Sequence, residues 1–391
     1  MKKILTTLLL LFAFVSLSAQ SFREWADSLG TVTGFAPVGG NSVFFTKSGE
    51  EFFASVLRDV REARESINME YYWIDNDPVG REFRDALIEK AREGVKVRVL
   101  FDNLVTPLSP ELFFDKMRKA GIEVLPAHDL KKMSLGKSIS TVFLERDHRK
   151  IIVIDHRIGY TGGINFFKPA VYEWSDFAVR VEGPGAASME HLVEEGWEHS
   201  GGTPFEVVPA KGAGPVELQV VPGRADPMSS EIYAQALRHA REYFYIQTPY
   251  FVPPQNVLDA IKDAARRGVD IRLLMTKSDH AYMDELAREY YEELLALGIR
   301  ISVTQGHFDH SKTFVADGTL FCCGSQNLDM RSFNINLEDG LYFYDESLAR
   351  NYTRHFLGLE SEARQALPGE NVAKGFRKAW RKFVGLFAPL L

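Results

Sequence analysis

The chain has 391 residues, of which 45% are apolar and 25% are charged, and its formal net charge is −7 at pH 7. This is the composition of an ordinary globular protein, and the length suits two domains or two fused lobes. The acidic total argues against a nonspecific nucleic-acid binder, since such proteins usually carry a basic surplus. We therefore predict that nucleic acid is not a partner, although a local basic cleft is compatible with this charge.

Residues 1–19 have the pattern of a targeting segment. Lys2 and Lys3 precede an apolar run of about 14 residues, and Ala19 offers a small residue for cleavage. The run is short for a membrane-spanning helix, which needs roughly 20 apolar residues. It is either a cleaved signal peptide or a short retained anchor, and both predict an exported protein at the cell membrane.

Strands alternate with helices in both halves of the chain. Predicted helices lie at 51–66, 79–92 and 255–267, and predicted strands at 67–74, 95–101, 122–125, 243–247 and 269–275. Residues 91–100 align with residues 265–274, so the second half repeats the first. Gly and Pro cluster near 201–214, which marks a boundary. We predict an α/β fold of two similar lobes, 39–205 and 215–367, each a mixed sheet flanked by helices.

The pattern His-x-Lys-x4-Asp occurs twice, and the two copies lie 162 residues apart (310 − 148). In both copies an Asn follows the His by 17 residues, and an acidic residue follows it by 28. The ten residues are His148, Lys150, Asp155, Asn165 and Asp176, and His310, Lys312, Asp317, Asn327 and Glu338. Core packing gives no reason to repeat four polar residue types in register. The repeat therefore predicts one active site built from two similar halves, between the lobes on a pseudo-twofold axis. An apparent insertion of about 12 residues, at 129–140, precedes only the first copy.

These motifs resemble those of the phospholipase D superfamily, whose signature is a pair of such His-Lys-Asp motifs, each followed by Gly-Gly/Ser-x-Asn. Within it, the chain is most similar to bacterial cardiolipin synthases, through residues 248–253, 324–333 and 389–391. The resemblance covers roughly residues 39–391. It implies two phospholipase D-like lobes and transfer of a phosphatidyl group.

The residue types suit phosphodiester transfer. One histidine attacks phosphorus to give a phosphohistidine, and the other protonates the leaving alkoxide and then deprotonates the incoming hydroxyl. The two lysines and two asparagines stabilise the charge of the transition state, so that neither a metal nor another cofactor is required. The resemblance implies that His148 is the nucleophile. It also implies that Asp176 and Glu338 orient the histidines.

Three further side chains have two interpretations each. Asp155 and Asp317 either belong to the catalytic set or brace the motif structurally. Glu70 either binds ligand at the end of a strand or is a solvated strand residue. Tyr250 either lines a lipid channel or packs between the lobes.

Residues 370–391 form a basic, amphipathic segment. Its apolar residues are Phe376, Trp380, Phe383, Val384 and Phe387, and its basic residues are Lys374, Arg377, Lys378, Arg381 and Lys382. The segment either binds an anionic membrane surface or docks on the protein with a basic outer face.

We therefore predict a phosphatidyltransferase that condenses two phosphatidylglycerols into cardiolipin and glycerol. The alternative is an exported phospholipase D or nuclease-type phosphodiesterase that uses the same site with water. A lipid-binding protein with a degenerate site is disfavoured, because both copies of the motif are intact.

Overall fold

The computed structural model describes residues 22–105, 110–127, 145–223, 227–278 and 280–373, together with residues 380, 381, 383 and 385. The predicted targeting segment 1–19, the predicted insertion 129–140 and most of the basic segment 370–391 lie outside the described residues.

The described residues form helices and strands in alternation, as the sequence predicts. The helices are α1 Phe22–Thr33, α2 Gly49–Glu62, α3 Pro78–Arg92, α4 Pro110–Lys119, α5 Lys168–Tyr172, α6 Pro184–His199, α7 Pro227–His239, α8 Gln255–Arg266, α9 Ala281–Ala296, α10 Met330–Asn334 and α11 Glu346–Glu362. The first nine strands are β1 Val38–Gly40, β2 Ser42–Thr46, β3 Ser66–Tyr71, β4 Lys96–Phe101, β5 Glu123–Pro126, β6 Lys150–Ile154, β7 Ile158–Gly162, β8 Ala178–Glu182 and β9 Gly214–Gly223. The others are β10 Tyr243–Gln247, β11 Phe251–Val252, β12 Asp270–Met275, β13 Arg300–Val303, β14 Thr313–Ala316, β15 Leu320–Gly324, β16 Leu328–Asp329, β17 Glu338–Phe343 and β18 Arg364–Gln365.

Two mixed sheets form the centre of the protein. The sheet of the first lobe has the order β2-β8-β7-β6-β3-β4-β5, and that of the second lobe β1-β9-β17-β15-β14-β10-β12-β13-β18. The run β8-β7-β6-β3-β4-β5 corresponds strand for strand to β17-β15-β14-β10-β12-β13. In both runs the last three strands are parallel. The motif strands β6, which begins at Lys150, and β14, which begins just after Lys312, are antiparallel to both of their neighbours. The predicted α/β fold of two similar lobes is confirmed.

Each lobe has its own apolar core, and a third core joins the lobes. Strand β6 shows how, because alternate side chains of a strand point to opposite faces. Ile152 and Ile154 pack in the core of the first lobe, whereas Ile151 and Val153 pack against the second lobe. The two sheets are therefore held together directly behind the segments that carry the motifs.

Helix α2 ends four residues earlier than predicted. The carboxylate of Asp155 accepts hydrogen bonds from the backbone N–H groups of Arg64, Glu65 and Ser66. These amides are then not available to continue the helix, and Ser66 begins β3. A side chain 89 or more residues away in sequence sets this boundary, so local periodicity could not locate it.

The N-terminal part of the described chain packs on the second lobe. Trp25 of α1 is fully buried and stacks on His239, with 5.5 Å between ring centroids. Strand β1 pairs with β9 of the second sheet. Within the described ranges, no helix is both long and apolar enough to span a membrane.

Candidate active site

The lobes meet through two short parallel backbone contacts at the motif histidines. The N–H of His148 donates to the carbonyl oxygen of Leu337 at 2.9 Å, and the N–H of His310 donates to that of Ser175 at 2.7 Å. Leu337 and Ser175 directly precede the acidic residues of the repeat. Each motif is therefore fixed beside the acidic residue of the other lobe.

The histidine–carboxylate pairs cross between the lobes. His148 Nδ1 lies 2.8 Å from Glu338 Oε2, and His310 Nδ1 lies 2.9 Å from Asp176 Oδ2. A carboxylate at Nδ1 holds the proton there and leaves the lone pair on Nε2, which is the arrangement that a nucleophile or general base requires. The sequence named both carboxylates but could not say which histidine each one serves.

Burial and the neighbouring lysines keep both imidazoles neutral at pH 7. Desolvation, with the charges of Lys150 and Lys312, holds the pKa of His148 well below its ordinary value. Desolvation and the charge of Lys312 lower the pKa of His310 to about 4, against the opposing effect of Asp176. Both rings therefore present an unprotonated nitrogen in the free site.

The two motif lysines are almost fully buried. Each Nζ donates to the backbone carbonyl of the histidine in its own motif, at 2.7 Å for Lys150 and in an equivalent bond for Lys312. Desolvation lowers the pKa of Lys150 to about 8 and that of Lys312 to about 7. A bound anion would offset this desolvation and keep both lysines charged.

A cavity of about 400 Å³, lined by described residues of both lobes, connects the two halves. Its lining includes His148, His310, Asn165 and Asn327. The side-chain oxygens of both asparagines are buried and have no hydrogen-bond partner among the described residues. Unpaired buried polar atoms in a cavity are expected where a ligand completes the hydrogen bonding. Tyr250 also lines this cavity, as the channel interpretation predicts.

Asp155 and Asp317 are not brought to the histidines. Both lie at the far ends of their strands in left-handed backbone conformation, with φ of 49° and 50°. The carboxylate of Asp317 binds the N–H groups of Arg241, Glu242 and Tyr243, as Asp155 binds those that precede β3. The structure brings eight of the ten predicted residues together, and the contacts of the other two favour the bracing interpretation.

Replacing Asp155 or Asp317 by Ala is expected to lower the free energy of unfolding by about 1–3 kcal/mol, because backbone donors lose their partner. The activity of the folded fraction should stay within about threefold of wild type. Urea denaturation and an assay on folded protein measure the two effects. A loss of activity without a loss of stability would return these aspartates to the catalytic set.

Two supporting residues escaped sequence reasoning, at equivalent positions of the Gly-Gly/Ser-x-Asn motif. Ser325 Oγ donates to Glu338 at 2.6 Å and so fixes the carboxylate that serves His148. At Gly163, a Cβ would lie 2.2 Å from Asp176 Oδ1, so only glycine lets this carboxylate reach its place. The sequence signal for both residues was that this position of the motif is Gly in one copy and Ser in the other.

Glu70 fits neither of its two interpretations. It is fully buried and forms an ion pair with Arg149 at 3.0 Å. At the equivalent position of the second lobe, the uncharged Gln247 donates to the carboxylate of Asp309 at 2.7 Å. The buried contact beneath the first motif is therefore an ion pair, and the contact beneath the second is a hydrogen bond from an amide to a carboxylate. Among the residues that the structure describes, no group of three or more His, Cys, Asp or Glu side chains is arranged to hold a metal ion.

Comparison with known families gives a match over most of both lobes. The family model described as cardiolipin synthase, PLD-like domain (PLD denoting phospholipase D), matches residues 56–197 and 233–359. A probable cardiolipin synthase of Bacillus subtilis (strain 168) is 30% identical over 363 residues, which cover 88% of this chain and 71% of the relative. A cardiolipin synthase of Geobacillus kaustophilus (strain HTA426) is 32% identical over 328 residues, which cover 79% of this chain and 64% of the relative. The chain thus spans about two thirds of the length of these relatives.

Solved structures share the fold. The crystal structure of phosphatidylserine synthase from Haemophilus influenzae Rd KW20 is similar with a TM-score of 0.71 at 12% sequence identity. The similarity covers 93% of this chain and 99% of that one. At this identity the likeness shows the fold alone.

Proposed function

Because this chain belongs to the family of the cardiolipin synthase, phospholipase D-like domain, we propose that it is a phosphatidyltransferase of the cardiolipin synthase type. It takes phospholipids as substrates and condenses two phosphatidylglycerols into cardiolipin and glycerol. The observation that carries the proposal is the crossed pair of histidine–carboxylate contacts around one cavity.

In the first half-reaction, Nε2 of one histidine attacks the phosphorus of phosphatidylglycerol. The P–O bond to glycerol breaks, and the other histidine gives a proton to the glycerol oxygen. That histidine must first be protonated, and the negative charge of the bound phosphodiester raises its pKa. Lys150, Lys312, Asn165 and Asn327 stabilise the charge that gathers on the phosphoryl oxygens.

In the second half-reaction, the hydroxyl of a second phosphatidylglycerol attacks the phosphohistidine. The P–N bond breaks, and the hydroxyl proton passes to the histidine that had protonated glycerol. Two phosphatidylglycerols have then given one cardiolipin and one glycerol, and both imidazoles return to their first state. With water as acceptor, the same steps would give phosphatidic acid.

Product analysis tests the proposal. The protein is incubated with phosphatidylglycerol vesicles, and the lipids and released glycerol are quantified. We expect one glycerol for each cardiolipin formed. Phosphatidic acid without cardiolipin would instead support a phospholipase D.

The lysine pKa values predict a basic limb in the pH profile. A buried lysine whose pKa is lowered to about 7 is charged below that pH and loses its charge above it. We therefore expect kcat/KM to fall as the pH rises through about 7 to 8, while kcat falls at a higher pH because bound phosphate keeps the lysines protonated. In Lys312→Arg the lysine limb should move upward, since arginine stays charged. A profile that is flat from pH 6 to 9 would contradict this assignment.

We also propose that the protein works at an anionic membrane surface. Arg381 is buried and pairs with Glu285 of α9 at 3.0 Å, whereas Trp380 and Phe383 are exposed by 44% and 53%. If this segment only docked on the protein, its basic side chains should face outward. At these three positions the aromatic rings face outward and the arginine is buried. This arrangement suits insertion of aromatic side chains at a lipid interface.

Replacing both Trp380 and Phe383 by Ser should weaken binding to phosphatidylglycerol vesicles about tenfold or more, because each ring loses apolar contact with lipid. Sedimentation with vesicles measures the partition. Phe44→Ser is the matched control, since Phe44 is also 53% exposed. Equal losses in the control and the double variant would contradict the proposed contact.

A further inference from the structure

The wall of the active-site cavity differs between its two ends, although the motifs repeat. Near His148 it is largely polar, and the side chains that line it there include Arg146, Arg331 and Asn336. Asn336 Nδ2 donates to Glu338 Oε1 at 3.2 Å, and Arg331 Nε donates to Asn336 Oδ1 at 3.3 Å. Tyr72, whose ring lies 4.4 Å from that of His148 between centroids, is an aromatic residue at this end. This end therefore offers charged and hydrogen-bonding groups rather than continuous apolar surface.

The wall near His310 is aromatic. The ring of Trp174 lies 5.3 Å from that of His310, measured between centroids. Trp174 contacts Phe308 edge to face at 5.0 Å, and Phe308 lies 6.5 Å from Tyr250. Centroid separations of about 4.5–7 Å are those of interacting rings. Apolar contact therefore passes without a break from the reacting histidine to Tyr250.

The aromatic rings continue from Tyr250 to the start of α9. Tyr250 stacks on His280 at 6.2 Å, and His280 stacks on Tyr282 at 5.6 Å. His280 is exposed, whereas Tyr282 is half-buried. Met283 lines the cavity beside them and packs with Tyr250 and Tyr282 in a small apolar cluster. The aromatic row, which we define as the cavity-lining rings of Trp174, Tyr250, His280 and Tyr282, thus reaches from His310 to the protein surface.

The outer end of the aromatic row lies close to the segment that we propose binds the membrane. On α9, Glu285 follows Tyr282 by three residues, so the two side chains are neighbours about one helical turn apart. Glu285 pairs with Arg381 at 3.0 Å, and the adjoining Trp380 and Phe383 are exposed. The row therefore lies between the proposed membrane contact and the catalytic histidine.

Resting on the proposed function, we propose that the aromatic row is an acyl-chain subsite, which holds a fatty acyl chain of the donor phospholipid. A phospholipid is amphipathic, with its phosphodiester at the boundary between polar and apolar parts. With the phosphodiester held by the motif lysines and asparagines, the acyl chain needs apolar surface that starts at the reacting centre. The aromatic row offers such surface, and the polar end of the cavity does not.

Ring side chains suit this role for two physical reasons. Aromatic residues supply a large apolar contact area, and tyrosine also has a hydroxyl that remains hydrated where the row reaches the surface. The outer rings can therefore contact an acyl chain and the water at the membrane interface together. The subsite keeps the chain in apolar contact along the path from the bilayer to the phosphoryl centre, which lowers the cost of removing it from lipid.

The test compares two phosphatidylglycerols, one with two butanoyl chains and one with two octanoyl chains, below the concentrations at which they form micelles. The protein is in excess over lipid, so glycerol release needs one lipid molecule and no lipid acceptor. Each methylene buried on the row should raise the second-order rate constant by ~4-fold. In wild type we expect the octanoyl lipid to react ~10- to 100-fold faster than the butanoyl lipid, since a chain is buried over part of its length. Because no membrane is present, this ratio reports contact with the cavity alone.

Variants of the row tie the ratio to these rings. In Tyr250→Ser and in Tyr282→Ser the ratio should fall at least about threefold, because part of the apolar contact is lost. Tyr250→Phe and Tyr282→Phe keep the ring and should keep the ratio. Tyr172→Ser is the matched control, since Tyr172 is 50% exposed and does not line the cavity. Its ratio should equal that of wild type.

The outcomes separate the subsite from the proposed function. A wild-type ratio near one, or equal losses with both lipids in Tyr250→Ser and Tyr282→Ser, would overturn the subsite and leave the proposed function standing. If wild type shows the expected ratio but converts phosphatidylglycerol vesicles only to phosphatidic acid, the subsite stands and the condensation is overturned. If wild type releases no glycerol, both are overturned.

Discussion

Replacing either motif histidine by Ala is expected to abolish phosphatidyl transfer, with rates at least about 10³-fold below wild type. His148 and His310 face one cavity, and the two half-reactions need a nucleophile and an acid–base group in turn. Removing either one stops the same cycle. Cardiolipin formation from phosphatidylglycerol vesicles measures the effect.

The control for this prediction is the double variant. If the two histidines act as one unit, His148→Ala/His310→Ala should be no slower than the worse single variant. His156→Ala serves as a matched substitution. His156 lies in the turn after β6, pairs with Glu190 of α6, and does not line the cavity. It should keep its activity when folded. Substantial turnover in either single variant would mean that each lobe has its own site.

Glu338→Gln and Asp176→Asn are expected to lower kcat by about 10²- to 10⁴-fold. The amide side chain can present N–H to Nδ1, which favours the tautomer with the proton on Nε2 and removes the lone pair from the reacting nitrogen. The lost carboxylate also no longer stabilises the imidazolium. The effect should fall mainly on kcat, since neither carboxylate is predicted to contact lipid directly.

The crossed arrangement makes this prediction specific. Glu338→Gln should change the titration of His148, and Asp176→Asn should change that of His310. In both cases the carboxylate and the histidine belong to different lobes. Nuclear magnetic resonance of labelled histidines measures both titrations. If Glu338→Gln altered only His310, the pairing seen here would be wrong. Asp339→Asn provides a neighbouring control on β17, since Asp339 contacts Thr161 and the backbone of Lys150 and neither histidine.

The sequence was sufficient for the fold class and for most members of the site. Matched spacing identified His148 and His310, because a duplicated chemical requirement leaves a duplicated polar pattern. It also found Asp176 and Glu338. The spacing within one copy cannot reveal that each histidine pairs with the carboxylate of the other copy. That pairing depends on the contacts of Leu337 and Ser175 with the backbone of the opposite motif.

The same limit explains what was missed. Asp155 belongs to the most regular part of the motif, yet its carboxylate serves the backbone at the start of β3. Arg146 lies outside the repeated pattern, and its counterpart is Phe308. A search for matched positions passes over such a residue because it differs between the halves. The repeat therefore indicates the chemistry that the two halves share, and it gives no signal for positions that differ between the halves.

If two similar lobes form one site, one chain holds one covalent intermediate. Protein mixed with phosphatidylglycerol is quenched in denaturant at neutral pH, which avoids acid cleavage of the P–N bond and alkaline hydrolysis of the acyl esters, and its intact mass is measured. We predict at most one phosphatidyl group per chain, attached to one of the two motif histidines. Two phosphatidyl groups on one chain, one at His148 and one at His310, would show instead that each lobe has a site of its own.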